Sequence, residues 1–446
     1  MNFADFILLH QADDPAALAL SRERYADFPE FALAIRTLEA RRKLEGKVPE
    51  WADIPSLRFP LPLSAEQCSS TGTAEYKAAL LTGTARNESA PGGILSQTCG
   101  HPRPHKRGGP ADGVGGRGRS EAETVWESIP PGAITSIADL TGGLGVDSWA
   151  FAKAGLKVLY NDMRPELVEA ARHNFAELGV DGVQFRCAET KPGAIERILE
   201  GFKPDAFFLD PARRDSSGGK VFRIADCSPD VTALLPDLFS HARFVLLKLS
   251  PMLDITLGAR ELGVCVREVH VVGADGECKE LLFLLDRDHT GDYTITVADG
   301  GGTLRFSPDD EQSARADFAP AELPSHLFVP GKALLKAGCF KLLSQSFGLQ
   351  KAGTSAHLYF ADEPVAALQP FGKWYRVLEW APLDKRSIRS FASRYPDADV
   401  TARAVPLTSD ELRKRLGSRS GGPVHIFAFR HEKNGRNLMV AAAGEK

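Results

Sequence analysis

The stretch ADLTGGLGVDSWAFAKAGLKVLYND, residues 138–162, is the strongest indication of the fold in the sequence. An apolar segment ends in Asp139, and a glycine-rich turn at residues 142–145 follows it. Glycines are needed where the backbone turns tightly or where a ligand approaches it without an intervening Cβ atom. A helical pattern comes next, and a second apolar segment ends in Asp162. The stretch therefore predicts a strand, a helix and a second strand, with a ligand site at the glycine turn.

The same alternation of strand and helix continues over residues 123–286. The helix between the second and third strands, PELVEAARHNFAELG, has Pro165 at its start and Gly179 just past its end. This rhythm predicts a doubly wound α/β fold with a mostly parallel sheet. The last two strands are separated only by a short loop, so we expect an antiparallel hairpin at one end of the sheet. The predicted strands are SIADL, KVLYND, VQFRC, DAFFLD, FVLLKL, VREVHVV and KELLFLL.

Two ligands fit the glycine turn, and the sequence favours one of them. A dinucleotide places its pyrophosphate at the helix N-terminus, where backbone N–H groups bind an anion. Asp139 would repel a pyrophosphate, whereas it suits the ammonium group of S-adenosylmethionine. The turn also reads G-x-G-x-x-S at Gly143, Gly145 and Ser148, which is an incomplete dinucleotide fingerprint. We therefore predict S-adenosylmethionine, with a dinucleotide or a ligand-free turn as the alternatives. A carboxylate at Asp162 can accept both ribose hydroxyls.

The composition indicates a globular protein of two or three domains. The chain has 446 residues, 43% apolar and 25% charged. No window contains 18 uninterrupted apolar residues, and the N-terminal segment lacks the basic start of a signal peptide. The seven cysteines lie far apart without a C-x-x-C pair. We therefore expect a cytoplasmic protein with no membrane span and no metal site.

The charges are distributed unevenly along the chain. Residues 331–446 contain 19 Lys and Arg and 10 Asp and Glu, a net charge of +9, whereas the other 330 residues carry −13. A basic C-terminal third is typical of a nucleic-acid-binding surface. A solvated surface without a partner is the alternative.

The glycine turn resembles motif I of class I methyltransferases, and the chain as a whole resembles one bacterial family of them. The family resemblance rests on DPARRDSSGGKVFRIADCSPDV, LLKLSPMLDI and ECKELLFLL. It continues through PGKALLKAGCFKLLSQSFGL and VPLTSDELRKRLGSRSGG. That family carries a small ferredoxin-like insert and a C-terminal THUMP-like domain. THUMP domains are RNA-binding modules of tRNA and rRNA modification enzymes, so the resemblance implies an RNA partner.

The resemblance also implies a fold and a domain order. We expect a seven-stranded class I methyltransferase sheet with a terminal antiparallel hairpin, an N-terminal helical region and small α+β C-terminal domains. One helix is expected at KALLKAGCFKLLSQSFG. Residues 82–120 contain 10 Gly and 4 Pro, and residues 82–122 are predicted to be a disordered insert, with a locally mistranslated reading frame as the alternative. The predicted order is the helical region 1–81, the insert 82–122, the methyltransferase domain 123–286, a ferredoxin-like segment 287–325 and a THUMP-like region 326–446.

By the same resemblance, the cofactor-binding residues fall on three strand ends. Asp162 would hold the ribose, and Glu189, in RCAE after the third strand, would contact adenine. The residues assigned to the methionine part are Asp139, Thr141, Gly142, Gly143 and Gly145.

The segment DPARRD, residues 210–215, falls at the motif that lies beside the transferred methyl group. Enzymes that methylate a base nitrogen carry Asp or Asn, two prolines and an aromatic residue there. Asp210 and Pro211 match this pattern, and Arg213 stands where a ring would stack on the base. We predict that Asp210, Pro211 and Arg213 form the catalytic tip. Alternatively, Arg213 and Arg214 pair with Asp215 or Asp226 and only order the loop.

Carbon methylation of a pyrimidine is disfavoured by the next strand. That reaction uses a cysteine nucleophile after the strand, and this chain has KLSPM there, with Lys248 and Ser250. For Lys248, an ion pair with Asp210 and a role in substrate binding both remain open. The sequence thus predicts a methyltransferase acting on a base nitrogen of rRNA or tRNA. The alternatives are a protein or small-molecule methyltransferase and an inactive RNA-binding module.

Overall fold

The computed structural model describes residues 1–84, 129–213 and 223–445. These residues form two compact units. Unit 1 comprises residues 1–267 and 282–291, and unit 2 comprises residues 268–281 and 292–445, in each case as far as they are described. Most of the predicted insert 82–122 lies outside the described residues.

The N-terminal part of unit 1 is helical, as predicted. Asn2 and Ser70 cap the first and last of its helices through their side-chain oxygens. Pro15, Pro49 and Pro62 each begin a helix, where the missing N–H costs nothing. The elements are α1 (Phe3–His10), α2 (Pro15–Leu20), a 3₁₀ helix (Arg22–Tyr25), α3 (Phe31–Leu44), α4 (Pro49–Ala52), α5 (Pro62–Gln67) and α6 (Thr71–Thr82).

From residue 136 to residue 286 the chain alternates strands and helices, and all seven predicted strands are present; residues 268–281 of the last two strands belong to unit 2. The elements up to the strand tip are β1 (Ser136–Asp139), α7 (Val146–Lys153), β2 (Lys157–Asp162), α8 (Pro165–Glu177), β3 (Gln184–Cys187), α9 (Ile195–Leu199) and β4 (Ala206–Leu209). Those after it are β5 (Ala212–Arg213), a 3₁₀ helix (Ile224–Asp226), β6 (Cys227–Ser228), α10 (Val231–His241), β7 (Phe244–Leu249), α11 (Ile255–Leu262), β8 (Val266–Ala274) and β9 (Glu277–Asp286).

The remaining elements belong to unit 2. They begin with β10 (Thr294–Asp299), β11 (Gly302–Phe306), α12 (Pro308–Ser313), β12 (Asp317–Phe318), β13 (His326–Pro330), α13 (Lys332–Ala337), α14 (Leu342–Phe347), β14 (Gln350–Lys351) and β15 (Tyr359–Ala361). They end with a 3₁₀ helix (Ala366–Phe371), β16 (Gly372–Pro382), α15 (Lys385–Arg394), β17 (Asp397–Arg403), α16 (Ser409–Leu416), β18 (Arg419–Arg430) and β19 (Asn437–Gly444).

The large sheet has the order β11-β10-β8-β9-β7-β4-β1-β2-β3. Strand β1 lies third from the β3 end of the sheet and pairs in parallel with β2 and β4, which places the carboxyl ends of β1, β2 and β4 at one edge of the sheet. The predicted hairpin is formed by β8 and β9, which a two-residue turn at Asp275 and Gly276 connects. The seven-stranded prediction is incomplete because β10 and β11, from the acidic segment 287–325, extend the sheet to nine strands.

The second sheet lies within unit 2 and has the order β12-β14-β15-β13-β16-β19-β18-β17. Helices α15 and α16 pack on one face of it, where Ile388, Phe391, Leu412 and Leu416 join the core. The single helix expected at KALLKAGCFKLLSQSFG is wrong. Gly338 adopts a left-handed conformation (φ 79°) and ends α13, so the segment forms α13 and α14. No helix within the described ranges is long and apolar enough to cross a membrane.

Candidate active site

The glycine turn between β1 and α7 has the backbone that its sequence predicts. Gly143 (φ 56°) and Gly145 (φ 90°) both lie in the left-handed region that favours glycine. The turn is held to the neighbouring strand, because Gly142 N–H donates to Asn161 O at 2.8 Å and Tyr160 Oη donates to Gly143 O at 2.6 Å. The turn is therefore fixed by β2 before any ligand binds.

The three glycines of the turn serve two purposes. A Cβ atom added at Gly142 would lie 2.1 Å from the Tyr160 ring, and one at Gly145 would lie 2.9 Å from the Phe175 ring. A Cβ atom at Gly143 would meet nothing closer than 3.8 Å. Gly142 and Gly145 are thus required by packing. The turn is open on the side of Gly143, where a ligand can approach the backbone.

Asp139 is buried at the end of β1, with 1% of its surface exposed. Thr141 N–H donates to its Oδ1 at 3.0 Å, and Ser148 Oγ donates to its Oδ2 at 2.7 Å. Burial raises the pKa of this carboxyl to about 8, although both hydrogen bonds act to lower it. Asp139 therefore connects the strand to the turn and to α7. Its contact with a methionine ammonium stays a prediction.

Asp162 ends β2 and faces the same turn. It is 5% exposed, and its Oδ2 accepts a hydrogen bond from Gly143 N–H at 3.0 Å. Its Oδ1 accepts one from Arg164 N–H at 2.9 Å, and the Arg164 side chain contacts both oxygens. The structure thus brings together the carboxylate and the glycine turn that the sequence assigned to one cofactor.

The third strand end is organised by two residues that the sequence analysis missed. Asn161 Nδ2 donates to Ala188 O at 3.0 Å, and Thr190 Oγ1 donates to Leu140 O at 2.9 Å. Asn161 is fully buried at the end of an apolar strand. A polar amide in such a strand needs hydrogen-bond partners, and this is the sequence feature that could have identified Asn161. Glu189, the predicted adenine contact, is exposed and pairs with Lys191 at 2.6 Å.

The strand tip after β4 lies beside the glycine turn. Asp210 N–H donates to Thr141 Oγ1 at 2.7 Å, which ties the predicted catalytic tip to the predicted cofactor loop. Asp210 Oδ2 accepts from Lys248 Nζ at 2.5 Å, so the ion pair considered for Lys248 is present. The Asp210 side chain remains 35% exposed, and Pro211 beside it is buried. The tip therefore presents one carboxylate whose direction is fixed.

The remainder of DPARRD is described only in part. Residues 212–213 form a two-residue strand that pairs with Cys227 and Ser228, so the backbone of Arg213 is anchored to the next loop. The side chain of Arg213, with all of Arg214 and Asp215, lies outside the described residues. The choice between a stacking arginine and a loop-ordering ion pair therefore stays open.

The N-terminal helices also contact the site, which the sequence analysis did not foresee. Lys77 on α6 has no exposed surface and lies 3.1 Å from Asp147 Oδ1, in the first turn of α7. Ser69 Oγ donates to the other oxygen of Asp147 at 2.8 Å. On the same surface, the Trp51 and Trp149 rings meet edge to face at 5.6 Å. The N-terminal region thus supports the helix that follows the glycine turn.

Cys68 precedes Ser69 and lies in the electrostatic field of the strand tip. Burial raises the pKa of its thiol to about 11, and the charges of Lys248 and Asp210 act on it in opposite directions. At neutral pH the thiol is therefore protonated. Among the described residues, no group of three or more His, Cys, Asp or Glu side chains is placed to hold a metal ion.

Two domain models match the C-terminal part of the chain. A ferredoxin-like domain model matches residues 326–368, and a THUMP domain-like model matches residues 372–444. The sequence analysis placed the ferredoxin-like segment at residues 287–325, and the match begins directly after it, at residue 326. The boundary between the two matches falls where β16 begins, within one continuous sheet.

Relatives match over most of the chain. An S-adenosylmethionine-dependent methyltransferase of Mycobacterium tuberculosis is 25% identical over 66% of this chain and 77% of its own. A crystal structure from Porphyromonas gingivalis W83, of a protein assigned as a methyltransferase, is 25% identical with a TM-score of 0.77, and the match covers 100% of this chain and 98% of that one. A 23S rRNA (uracil(1939)-C(5))-methyltransferase of Shewanella sediminis is 35% identical over 20% of this chain and 19% of its own.

The fold, the site and these relatives define a class I S-adenosylmethionine-dependent methyltransferase. More particularly, the chain is a methyltransferase with ferredoxin-like and THUMP-like domains at its C-terminal end, as its sequence resemblance implied. S-adenosylmethionine is its cofactor. The residues present fit this molecule, because the turn is open at Gly143 and a buried carboxylate faces it from β2.

Proposed function

We propose that this methyltransferase modifies a base nitrogen of rRNA or tRNA. The observation that carries the proposal is the strand tip, where Asp210 is aimed by Thr141 and Lys248 beside the cofactor turn. No described residue donates a hydrogen bond to Asp210 Oδ1, so this oxygen can accept a hydrogen of an exocyclic amino group. Such a contact aligns the nitrogen lone pair with the methyl group, and in-line transfer then depends on proximity and orientation.

In this proposal the cofactor lies along the edge formed by the ends of β1 and β2. Asp162 binds the ribose hydroxyls, and the backbone at Gly143 faces the methionine part. Asp139, Thr141, Gly142 and Gly145 hold that turn in shape and line it. Glu189 contacts adenine, which requires its pair with Lys191 to open. When bound, S-adenosylmethionine supplies the electrophilic methyl group, and the protein supplies binding and alignment.

Pro211 and Arg213 complete the proposed catalytic tip. Pro211 is buried next to Asp210, so it restricts the backbone that carries the carboxylate. Arg213 follows at a position whose backbone is anchored through β6. An arginine there can stack its guanidinium plane on a base or bind a phosphate.

An RNA substrate is favoured by the charge of the THUMP-like region. Residues 372–444 contain 14 Lys and Arg and 7 Asp and Glu. Seven of these 14 basic residues lie on α15 and α16, whose apolar side chains pack on the sheet. Lys385, Arg386, Arg389, Lys414 and Arg415 are all exposed there. Closely spaced cations on one surface suit a phosphate backbone, and some relatives are named RNA methyltransferases.

Transfer to C5 of a pyrimidine is less well supported, although one relative is named for that reaction. The reaction needs a cysteine thiolate that adds to the ring. Cys68 is one thiol on which the charges of the strand tip act, and burial raises its pKa to about 11. A thiol protonated at neutral pH is a poor nucleophile. We therefore place the methyl group on nitrogen.

A transfer assay with labelled S-adenosylmethionine tests the proposal. RNA, protein and small molecules from cells lacking the gene are offered separately, and we expect label in the RNA, on a base, with transfer that weakens as salt is raised. Asp210→Ala should lower kcat by about 100-fold or more, the scale of a lost positioning group. The matched control, Asp181→Ala, removes an exposed carboxylate of the loop between α8 and β3 and should change little. Label in protein or small molecules alone would refute the RNA assignment.

A further inference from the structure

Asp162 is saturated with hydrogen-bond donors in this structure. A carboxylate has about four acceptor directions, two on each oxygen. Two of them are taken by the backbone amides of Gly143, at 3.0 Å from Oδ2, and of Arg164, at 2.9 Å from Oδ1. These two donors belong to the folded backbone, so they stay in place whether or not a ligand is bound.

The other two acceptor directions are taken by the side chain of Arg164. Its Nε donates to Oδ1 at 3.1 Å and its Nη2 donates to Oδ2 at 3.3 Å. The guanidinium thus presents two neighbouring donors, one to each oxygen of the carboxylate. A ribose diol binds a carboxylate in the same way, with one hydroxyl to each oxygen. The arginine and the diol therefore compete for the same two positions.

The two members of the pair differ in freedom to move. Asp162 is almost fully buried, whereas the Arg164 side chain is 44% exposed and is the first residue outside α8. The guanidinium can therefore swing into solvent while the carboxylate stays fixed. Water can solvate the 44% exposed guanidinium once it leaves, so a ligand that makes several other contacts can displace it.

We propose that the Arg164 side chain holds the ribose position at Asp162 until the cofactor enters and displaces it. The inference rests on the proposed role of Asp162. It makes Arg164 a residue that lowers cofactor affinity, although its charge and position invite the opposite interpretation as a cofactor contact. It also follows that cofactor binding leaves an unpaired cation at the edge of the site.

Calorimetry with S-adenosylhomocysteine on the full-length protein tests the inference. Arg164→Ala should tighten binding by about tenfold at low salt, which corresponds to about 1.4 kcal/mol. Higher salt should tighten binding to the wild type, because it weakens the Arg164–Asp162 pair, and should do so much less for Arg164→Ala. The matched control is Arg172→Ala on α8, the helix that follows Arg164; the Arg172 guanidinium lies over the Phe185 ring at 4.8 Å, and its loss should leave affinity unchanged.

A second substitution separates this inference from the assignment on which it rests. Asp162→Asn should weaken binding, and in that background Arg164→Ala should no longer tighten it, because the two effects are coupled. If Asp162→Asn weakens binding but Arg164→Ala leaves it unchanged or weaker, the displacement is refuted and the ribose assignment stands. If Asp162→Asn leaves affinity unchanged, both fail. Thermal unfolding without ligand confirms that each variant is folded.

Discussion

At the scale of single residues, the site contains an acid that is held in an unfavourable environment. Asp139 is buried beside Asp147 and Asp210, and burial raises its pKa to about 8 from an ordinary value of 3.8. Its two hydrogen bonds, to Thr141 N–H and Ser148 Oγ, do not require a negative charge. A neutral carboxylic acid can accept the first and donate to the hydroxyl oxygen in the second. The folded protein is therefore stable with Asp139 protonated.

This protonation predicts how stability depends on pH. Between about pH 4 and pH 8, Asp139 is ionised in the unfolded chain but protonated in the folded chain. Its contribution to the free energy of unfolding is therefore complete below about pH 4 and is lost as the pH rises through about 8. Asp139→Asn preserves both hydrogen bonds and cannot ionise. In urea denaturation without cofactor, the free energy of unfolding of Asp139→Asn should therefore rise relative to that of the wild type by at least about 1.4 kcal/mol between pH 5 and pH 8. A constant difference across that range would mean that Asp139 is ionised in the fold.

At the scale of the elements, the N-terminal helices act through α7. The pair formed by Lys77 on α6 and Asp147 on α7 is buried, and Ser69 completes it. Asp147 immediately precedes Ser148, which donates to Asp139. The helical region is therefore part of the support of the cofactor turn.

Breaking this buried pair should be costly. Lys77→Met removes the cation and leaves Asp147 charged and enclosed, which typically destabilises a protein by about 3–5 kcal/mol. We expect a lower urea midpoint for Lys77→Met and substantial recovery in Lys77→Met with Asp147→Leu, because the double variant leaves no uncompensated charge. The exposed pair Lys153–Glu75 on the same two helices provides the control, and Lys153→Met should cost at most about 1 kcal/mol. Equal effects of the two lysine substitutions would contradict this account.

The elements of the methyltransferase domain were predictable because their signals are local. Apolar segments gave the seven strands, and Pro165 and Gly179 marked the helix between two of them. The contacts of Lys77 and Ser69 with Asp147 join residues about 70 positions apart, and no periodicity reveals such contacts. The extension of the sheet by β10 and β11 was missed for the same reason, since strand pairing depends on the whole sheet and not on the strand. Arg164 was missed because nothing in NDMRPE shows that its side chain turns back onto Asp162.

At the scale of the whole molecule, the chain joins a methyl-transfer domain to a basic C-terminal third, residues 331–446. Seven of the 19 Lys and Arg in this third lie on α15 and α16, outside the methyltransferase domain. The composition predicted the sign of this charge. That both helices lie on the same side of the sheet became visible only in the structure.

Mass spectrometry can compare the rRNA and tRNA nucleosides of cells with and without the gene. This comparison is the most direct test of methylation on a base nitrogen. We predict that one base nucleoside methylated on nitrogen disappears without the gene. It should return with the wild-type gene but not with Asp210→Ala. Identical nucleoside profiles, or the loss of a ribose-methylated or C5-methylated nucleoside instead, would contradict the account.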